Sequence, residues 1–337
     1  MLGLLVLAAC SDALEQTTSA GQVVVAVNTV SDTLSLVDVG DYTVTTLAVP
    51  PNRAVPRSVA VSGSLLAVPG GDSASLAVFD FSSGGSPVIS RYSLPTGSGA
   101  TGAAFDGDSV VWVANPDRNS VTRVRLQTGD TATFTVGMYP QAVAFANDFV
   151  FVVNGNLVGG SPAGPSWISV RLRSGARPPV DSIPLTGLNA RFVTTGADGL
   201  LYVVDAGRVG KADGRLSIVD PTTLVEQAVL NGLGESPGPA IYHPSGRLLI
   251  ASRSNGILEV NTSTRMLTRG PGGGIQITGT VLAALTLDQS GRVYAFDQKD
   301  CAQPGAVHVL SAPPEYEDLT QVSVGVCPSA AATMLVP

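Results

Sequence analysis

The chain has 337 residues, of which 44% are hydrophobic and only 13% charged, with 38 Gly, 23 Pro and a formal net charge of -7. That length admits one large core or two ordinary ones, and the scarcity of lysine, present only at Lys211 and Lys299, speaks against exposed helix faces and for strands and turns. The arginines are scattered singly, so no basic stripe exists to neutralise phosphates along a duplex, which excludes a nucleic-acid partner from the expectations.

Residues Met1 to Cys10 read MLGLLVLAAC, an apolar run ending in Leu7-Ala8-Ala9-Cys10. This resembles the lipobox of bacterial lipoproteins. The resemblance implies a signal peptide over 1–9, a lipidated Cys10 with its tether over 10–21, and contact with the membrane through the lipid alone. Ser11 follows the cysteine, which in that family implies sorting to the outer membrane where a bacterium has two. The chain departs from the pattern in lacking Lys or Arg at Met1 to Gly3 and in its short apolar run, as a start codon placed too late would produce. A signal peptide of another kind and a chance match are the competing readings.

With Cys10 so assigned, Cys301 and Cys327 remain as a pair, which fits an oxidising compartment. A structural disulfide is expected between them, with two buried thiols as the alternative. No CxxC spacing and no neighbouring histidine suggests a metal or redox centre there.

From residue 22 onward an apolar run recurs: VVVAVN at 23–28, LLAVPG at 65–70, VVWVAN at 110–115, VFVVNG at 150–155, LYVVDA at 201–206, LLIASR at 248–253 and VYAFDQ at 293–298. Such a spacing suits units of four short strands with turns and is too long for leucine-rich or ankyrin repeats. Each run is followed by a second, such as LSLVD at 34–38 or LSIVD at 216–220. Several of these end in Asp38, Asp80, Asp220 or Asn261, whose side-chain oxygens can bond a backbone N–H two residues on and fix a hairpin into a more polar, outermost strand such as TVTTLAV at 43–49. A further run, for example RSVAV at 57–61, QAVAF at 141–145 or RFVTT at 191–195, then leads into a turn such as Gly107-Asp108 or Asp198-Gly199.

The recurring runs are apolar at consecutive positions, so both faces of those strands must be covered. Four-stranded sheets set around an axis cover both faces against their neighbours, and Ala60, Ala104 and Ala144 suit the crowded strand nearest that axis. The expected fold is therefore all-β, a seven-bladed β-propeller of four-stranded antiparallel blades over 22–337. AAATMLV at 330–336 has innermost-strand character, so the first and last strands should share one blade and close the ring. Cys327 just before that strand and Cys301 in the preceding sheet would pin it.

VVWVAN followed by NSVTRVRLQTGDTATFTVGMYPQAVAFAND resembles the YVTN-type β-propeller repeat, most clearly at 23–63, 109–148 and 200–223. The resemblance implies the fold strongly and an activity hardly at all. The fourth unit departs through GNLVGGSPAGPS at 155–166, a loop insertion, and the last through DQKDCAQPG at 297–305.

Gly234-Glu235-Ser236-Pro237-Gly238 spells the G-x-S-x-G nucleophile elbow, but it falls in a Gly/Pro loop between strands rather than on a strand-to-helix turn. Gly270 to Gly274 has no helix or lysine behind it to make a phosphate cradle, and His243 and His308 have no spaced partner to make a metal site. Catalytic residues, metal ligands and cofactors are accordingly not expected.

Superposing the units brings a different set together. Asn28, Asn115, Asn154, Asp205, Arg253 and Asp297 end the apolar runs, while Arg57, Gln141 and Arg191 stand near the start of innermost strands. All should approach one mouth of the central funnel, where Arg57 and Arg191 as paired donors could hold a polar or anionic ligand. The competing explanation is that strand-end polar residues cap turns.

The expected function is that of an extracytoplasmic, lipid-anchored binding or scaffold protein, monomeric, presenting loops 154–166 and 205–214 to a protein or cell-envelope partner. The alternative is a propeller hydrolase or lyase of the lactonase or streptogramin-lyase type, for which Asp205, Asp297, Asn115 and Asn154 are the available oxygen ligands.

Overall fold

Strands covered on both faces need side chains that are apolar without interruption, and this is where the recurring runs lie in the computed structural model. The structure describes residues 21–175, 181–277 and 279–337; the lipobox with Cys10 lies outside them. Each run forms the second strand of a four-stranded antiparallel sheet, and seven such sheets follow one another along the chain.

Blade 1 joins the strands Gly21–Asn28, Thr33–Asp38 and Val44–Ala48 to the last strand of the chain, Pro328–Val336. Blades 2 and 3 run from Ala60–Ser62 to Val88–Ser93 and from Ala103–Asp106 to Thr131–Thr135. Blade 4 runs from Pro140–Ala146 to Asp181–Leu188, and blade 5 from Ala190–Thr195 to Val225–Gly234. Blades 6 and 7 run from Pro237–His243 to Met266–Arg269 and from Leu282–Leu287 to Asp318–Val326. The insertion in blade 4 folds as a small hairpin of Leu157–Val158 and Ser161–Pro162.

Alternate residues of each second strand serve opposite neighbours. Val24 and Ala26 pack with Tyr294, Phe296 and Val307 of blade 7, whereas Val25 and Val27 pack with Leu66, Val68 and Phe79 of blade 2. The pleat sends successive side chains to opposite faces, and full burial of each aliphatic side chain contributes roughly 1.5–3 kcal/mol. Repeated around the ring, this places a hydrophobic seam between each blade and the next.

The ring closes as the small residues at 330–336 anticipate. Ala330, Ala331 and Ala332 pair in register with Val27, Ala26 and Val25, and Cys301 is disulfide-bonded to Cys327 immediately before the closing strand. No sheet edge is left for a foreign strand to join at the junction. Outermost strands such as Val88–Ser93 are exposed, and innermost strands such as Ala103–Asp106 are half-buried because one edge borders the axial channel.

Antiparallel order sends the connections alternately to two faces. The links from first to second and from third to fourth strand lie on one face, here the far face. Those from second to third strand and from blade to blade lie on the other, the mouth face. On the far face Asp38, Asp80 and Asp220 accept from the backbone N–H two residues on, at 2.7, 2.9 and 2.8 Å, while Asn261 reaches Thr264 N, three residues on, at 3.0 Å. Among the described residues the one helical element is the 3-10 turn Pro116–Arg118, and no helix is long and apolar enough to cross a membrane.

Candidate functional site

The polar residues expected at the mouth separate by the direction their side chains take. Asn28, Asn115, Asn154 and Asp205 end the second strands of blades 1, 3, 4 and 5, and each is fully buried. Their side chains turn into the sheet toward a hydroxyl on the next strand. Asn28 donates to Ser35 Oγ at 3.0 Å, Asn115 to Thr122 Oγ1 at 2.9 Å and Asn154 to Ser169 Oγ at 3.0 Å, while Asp205 accepts from Ser217 at 2.7 Å. In each case the hydroxyl lies two residues beyond the one paired with the strand end. Asp297, also buried, accepts from the Val281 and Lys299 backbone N–H groups at 2.8 and 2.9 Å. These groups stitch strands and loops through one side-chain atom each, while the Oδ1 atoms of Asn28, Asn115, Asn154 and Asp205 are buried without a hydrogen-bond partner.

The arginines behave differently. Arg57 precedes the first strand of blade 2, Arg191 stands in the first strand of blade 5, and Arg253 follows the second strand of blade 6; all are exposed. Arg191 is open to water yet enclosed by protein deeply enough that desolvation depresses its pKa. Tyr139 acts against that depression, and the Arg57 and Arg253 guanidiniums add to it. All three stand at the mouth-face ends of their strands, in blades 2, 5 and 6, and the influence of Arg57 and Arg253 on Arg191 agrees with a place around the same channel mouth. Neither an ion pair nor a hydrogen bond to another described residue engages Arg57, Arg191 or Arg253, although Arg191 lies over the Phe192 ring at 5.1 Å.

Loops set these side chains in place. Asp32 accepts from the Arg53 and Val55 backbone N–H groups at 2.6 and 2.8 Å, and Thr29 donates to Pro56 O at 2.7 Å, which clamps the segment leading to Arg57. Gln141 does not turn to the channel with a free amide. Its Nε2 donates to Asn189 Oδ1 and Ala190 O, both at 3.0 Å, and so anchors the residues just before Arg191. Tyr139 is held by Asn119 Oδ1, which accepts from its N–H at 2.9 Å, and by Gly155 N–H, which donates to its carbonyl at 2.9 Å. Sequence reasoning named the three arginines and missed Tyr139, Asp32 and Thr29. Asp32 acts 21 to 23 residues away, a reach no local motif displays.

Other candidate chemistry has local explanations. His243 is bonded to Ser245 Oγ and Gly291 O, and His308 lies 3.1 Å from Asp318. Ser236 sits between two strands of adjoining blades rather than before a helix. Among the described residues, no three His, Cys, Asp or Glu side chains converge in a metal-binding arrangement.

No family model matches the chain. No curated protein matches it either. Solved structures do resemble it. A functionally unknown protein from Desulfotomaculum acetoxidans aligns with TM-score 0.68 at 10% identity, covering 94% of this chain and 99% of that one. The hydrazine synthase of Kuenenia stuttgartiensis gives 0.67 at 14%, covering 85% and 91%. A catalytically inactive virginiamycin B lyase from Staphylococcus aureus with quinupristin gives 0.63 at 14%, covering 83% and 92%. At such identities the likeness is one of fold, and these folds carry unrelated activities.

Proposed function

We propose that this chain is an extracytoplasmic binding protein of the YVTN propeller type, anchored by lipid on Cys10, that receives an anionic ligand at the mouth of its channel. The observation that carries the reading is the set Arg57, Arg191 and Arg253, each without a carboxylate partner, around one concavity of a protein whose net charge is -7. Arg57 and Arg253 repel the desolvated Arg191 guanidinium, and an anion relieves that repulsion while meeting a planar donor fork. The insertion of blade 4 and the loop at 206–213 flank the same face and would supply contacts to a larger partner. The ring is entered at Gly21 on the far face, so a tether running back to Cys10 would hold the mouth turned away from the membrane.

Two measurements test this. Metabolic labelling with a radioactive fatty acid should mark the wild type and not a Cys10→Ala variant; equal labelling removes the anchor. A thermal-shift screen of anions against neutral and cationic solutes at equal ionic strength should raise the melting temperature with anions only. Failure of every anion removes the binding site.

A lyase reading has one observation in its favour, the lyase among the structural neighbours. It would need the oxygens of Asn115, Asn154 and Asp205 at a substrate, and these side chains are fully buried, turned into the sheet by the bonds that Asn115 Nδ2, Asn154 Nδ2 and Asp205 Oδ2 make with Thr122, Ser169 and Ser217. Turnover of a streptogramin or a lactone, lost in Arg191→Gln, would favour it over binding alone.

A further inference from the structure

The arginines also specify what kind of anion fits. In a ring of seven blades, blade 2 lies across the axis from blades 5 and 6, so Arg57 stands on one wall of the mouth and Arg191 with Arg253 on the opposite wall. A singly charged anion can lie in the fork of one guanidinium and leaves the other two without a counter-charge. An anion with separate oxygen-borne charges engages both walls. From this placement, and resting on the anion-binding reading above, we infer that the site takes a small, multiply charged oxyanion, a polycarboxylate or polyphosphate, clamped between Arg57 on one side and Arg191 with Arg253 on the other.

Further features agree. Tyr139 favours the charged form of Arg191, so its side chain stands at the same wall. The wall behind Arg191 is rigid, because Gln141 bonds Asn189 and Ala190 and the Asn189 amide donates to Gly207 O. Loops on the mouth face also hold both lysines of the chain, Lys211 and Lys299. Carboxylates lie on both faces, Asp38, Asp80 and Asp220 on the far one and Asp32, Asp72 and Asp300 among those on the mouth face, so the arginines rather than an overall field hold the anion. Fully exposed arginines on a flat surface would be screened by salt. Guanidiniums within a concavity are screened less and contribute more per contact.

The test is calorimetric titration of the purified protein, at constant ionic strength, with citrate, pyrophosphate and acetate. Citrate and pyrophosphate should bind at least about tenfold more tightly than acetate. Arg57→Gln should weaken citrate and pyrophosphate by about tenfold or more and leave acetate unchanged, since the opposite wall still holds a single charge. An unchanged circular-dichroism melt of Arg57→Gln confirms that this exposed substitution leaves the fold intact, and Arg253→Gln gives a second, independent reading from the other wall. Equal affinity for acetate and citrate, or an Arg57→Gln variant that binds citrate as the wild type does, overturns the clamp while the anion site stands. Silence with all three anions overturns both. Preference for citrate over pyrophosphate, or the reverse, assigns the ligand to the carboxylate or the phosphate class within the proposal.

Discussion

The Ser217 hydroxyl lies 2.7 Å from Asp205 Oδ2, at the place where blades 1, 3 and 4 set the amides of Asn28, Asn115 and Asn154 against Ser35, Thr122 and Ser169. A carboxyl occupies a position built for a carboxamide. Burial pushes Asp205 up to about 8, opposed by the Ser217 hydrogen bond, reinforced by Glu226 and opposed again by Arg215. The folded value stands above the ordinary 3.8, so the folded protein keeps a proton that the unfolded chain releases. Stability from the neutral acid is complete below about pH 4 and is lost as pH rises through about 8, with a slope of at most about 1.4 kcal/mol per pH unit. Asp205→Asn should therefore raise the denaturation midpoint at pH 9 and change it little at pH 4. Equal loss of stability at both pH values would show that the site requires the acid itself.

A second relationship crosses the same seam. A Cβ added to Gly187, in the outermost strand of blade 4, would stand 2.0 Å from Asp205 Cγ, and one at Gly137 would stand 2.5 Å from Asn154 Cγ. The buried strand-end groups thus fill space that these glycines vacate. Gly187→Ala should destabilise by about 1–3 kcal/mol, as overpacking does. Combined with Asp205→Ala, which removes the clashing carboxyl, it should cost less than the sum of the two. A strictly additive double-mutant cycle in urea would refute the contact.

These residues also explain how far the sequence could be read. Val23 to Val27 had to be apolar at every position because both faces are covered, so the blades were legible in the runs, as was closure by the alanines at 330–332. At a strand end, position does not decide whether a side chain points to the channel or back into the sheet. Asn28 and Asn115 carried a clue in the Ser35 and Thr122 hydroxyls seven residues on, but in blades 4 and 5 longer connections displace that partner to Ser169 and Ser217. Tyr139 stands in a loop at φ 55°, a conformation unusual for a bulky residue, and nothing in its neighbours announces a place at the mouth.

The covalent closure has a measurable share in stability. The Cys301–Cys327 bond spans 26 residues, and constraining the unfolded chain over such a loop is worth about 3–4 kcal/mol. Reduction, or replacing both cysteines with alanine, should lower the urea midpoint accordingly. It should also accelerate hydrogen exchange in the closing strand Pro328–Val336 more than in the blades opposite. Unchanged exchange there, with both thiols shown to be free, would mean that strand pairing alone holds the ring.

The same junction is fastened on the far face by an arginine that an ion pair within blade 7 orients. Arg292 of blade 7 donates through Nε to Asp288 Oδ2 at 2.5 Å, and its other nitrogens reach the Tyr42 hydroxyl at 2.7 Å and Val39 O at 3.3 Å in blade 1. Burial opposes charge on Asp288, but the Ser290 hydroxyl and the Arg292 side chain and backbone N–H outweigh it and hold its pKa below the ordinary 3.8. The folded value is the lower one, so this contribution is present above the unfolded pKa and disappears as pH falls through the folded one. Arg292 keeps 28% of its side chain in water, which moderates the penalty for stranding it. Asp288→Asn should thus cost about 1–3 kcal/mol at pH 7 and progressively less as the medium is acidified below pH 4. The disulfide and the Arg292 bonds to Tyr42 and Val39, which Asp288 holds in place, grip opposite ends of one seam, so losing both should destabilise by more than either alone and should release blade 1 from blade 7 first in hydrogen exchange. A penalty for Asp288→Asn that persists undiminished in acid would assign the latch to packing of Tyr42 against Arg292 rather than to the carboxylate's charge.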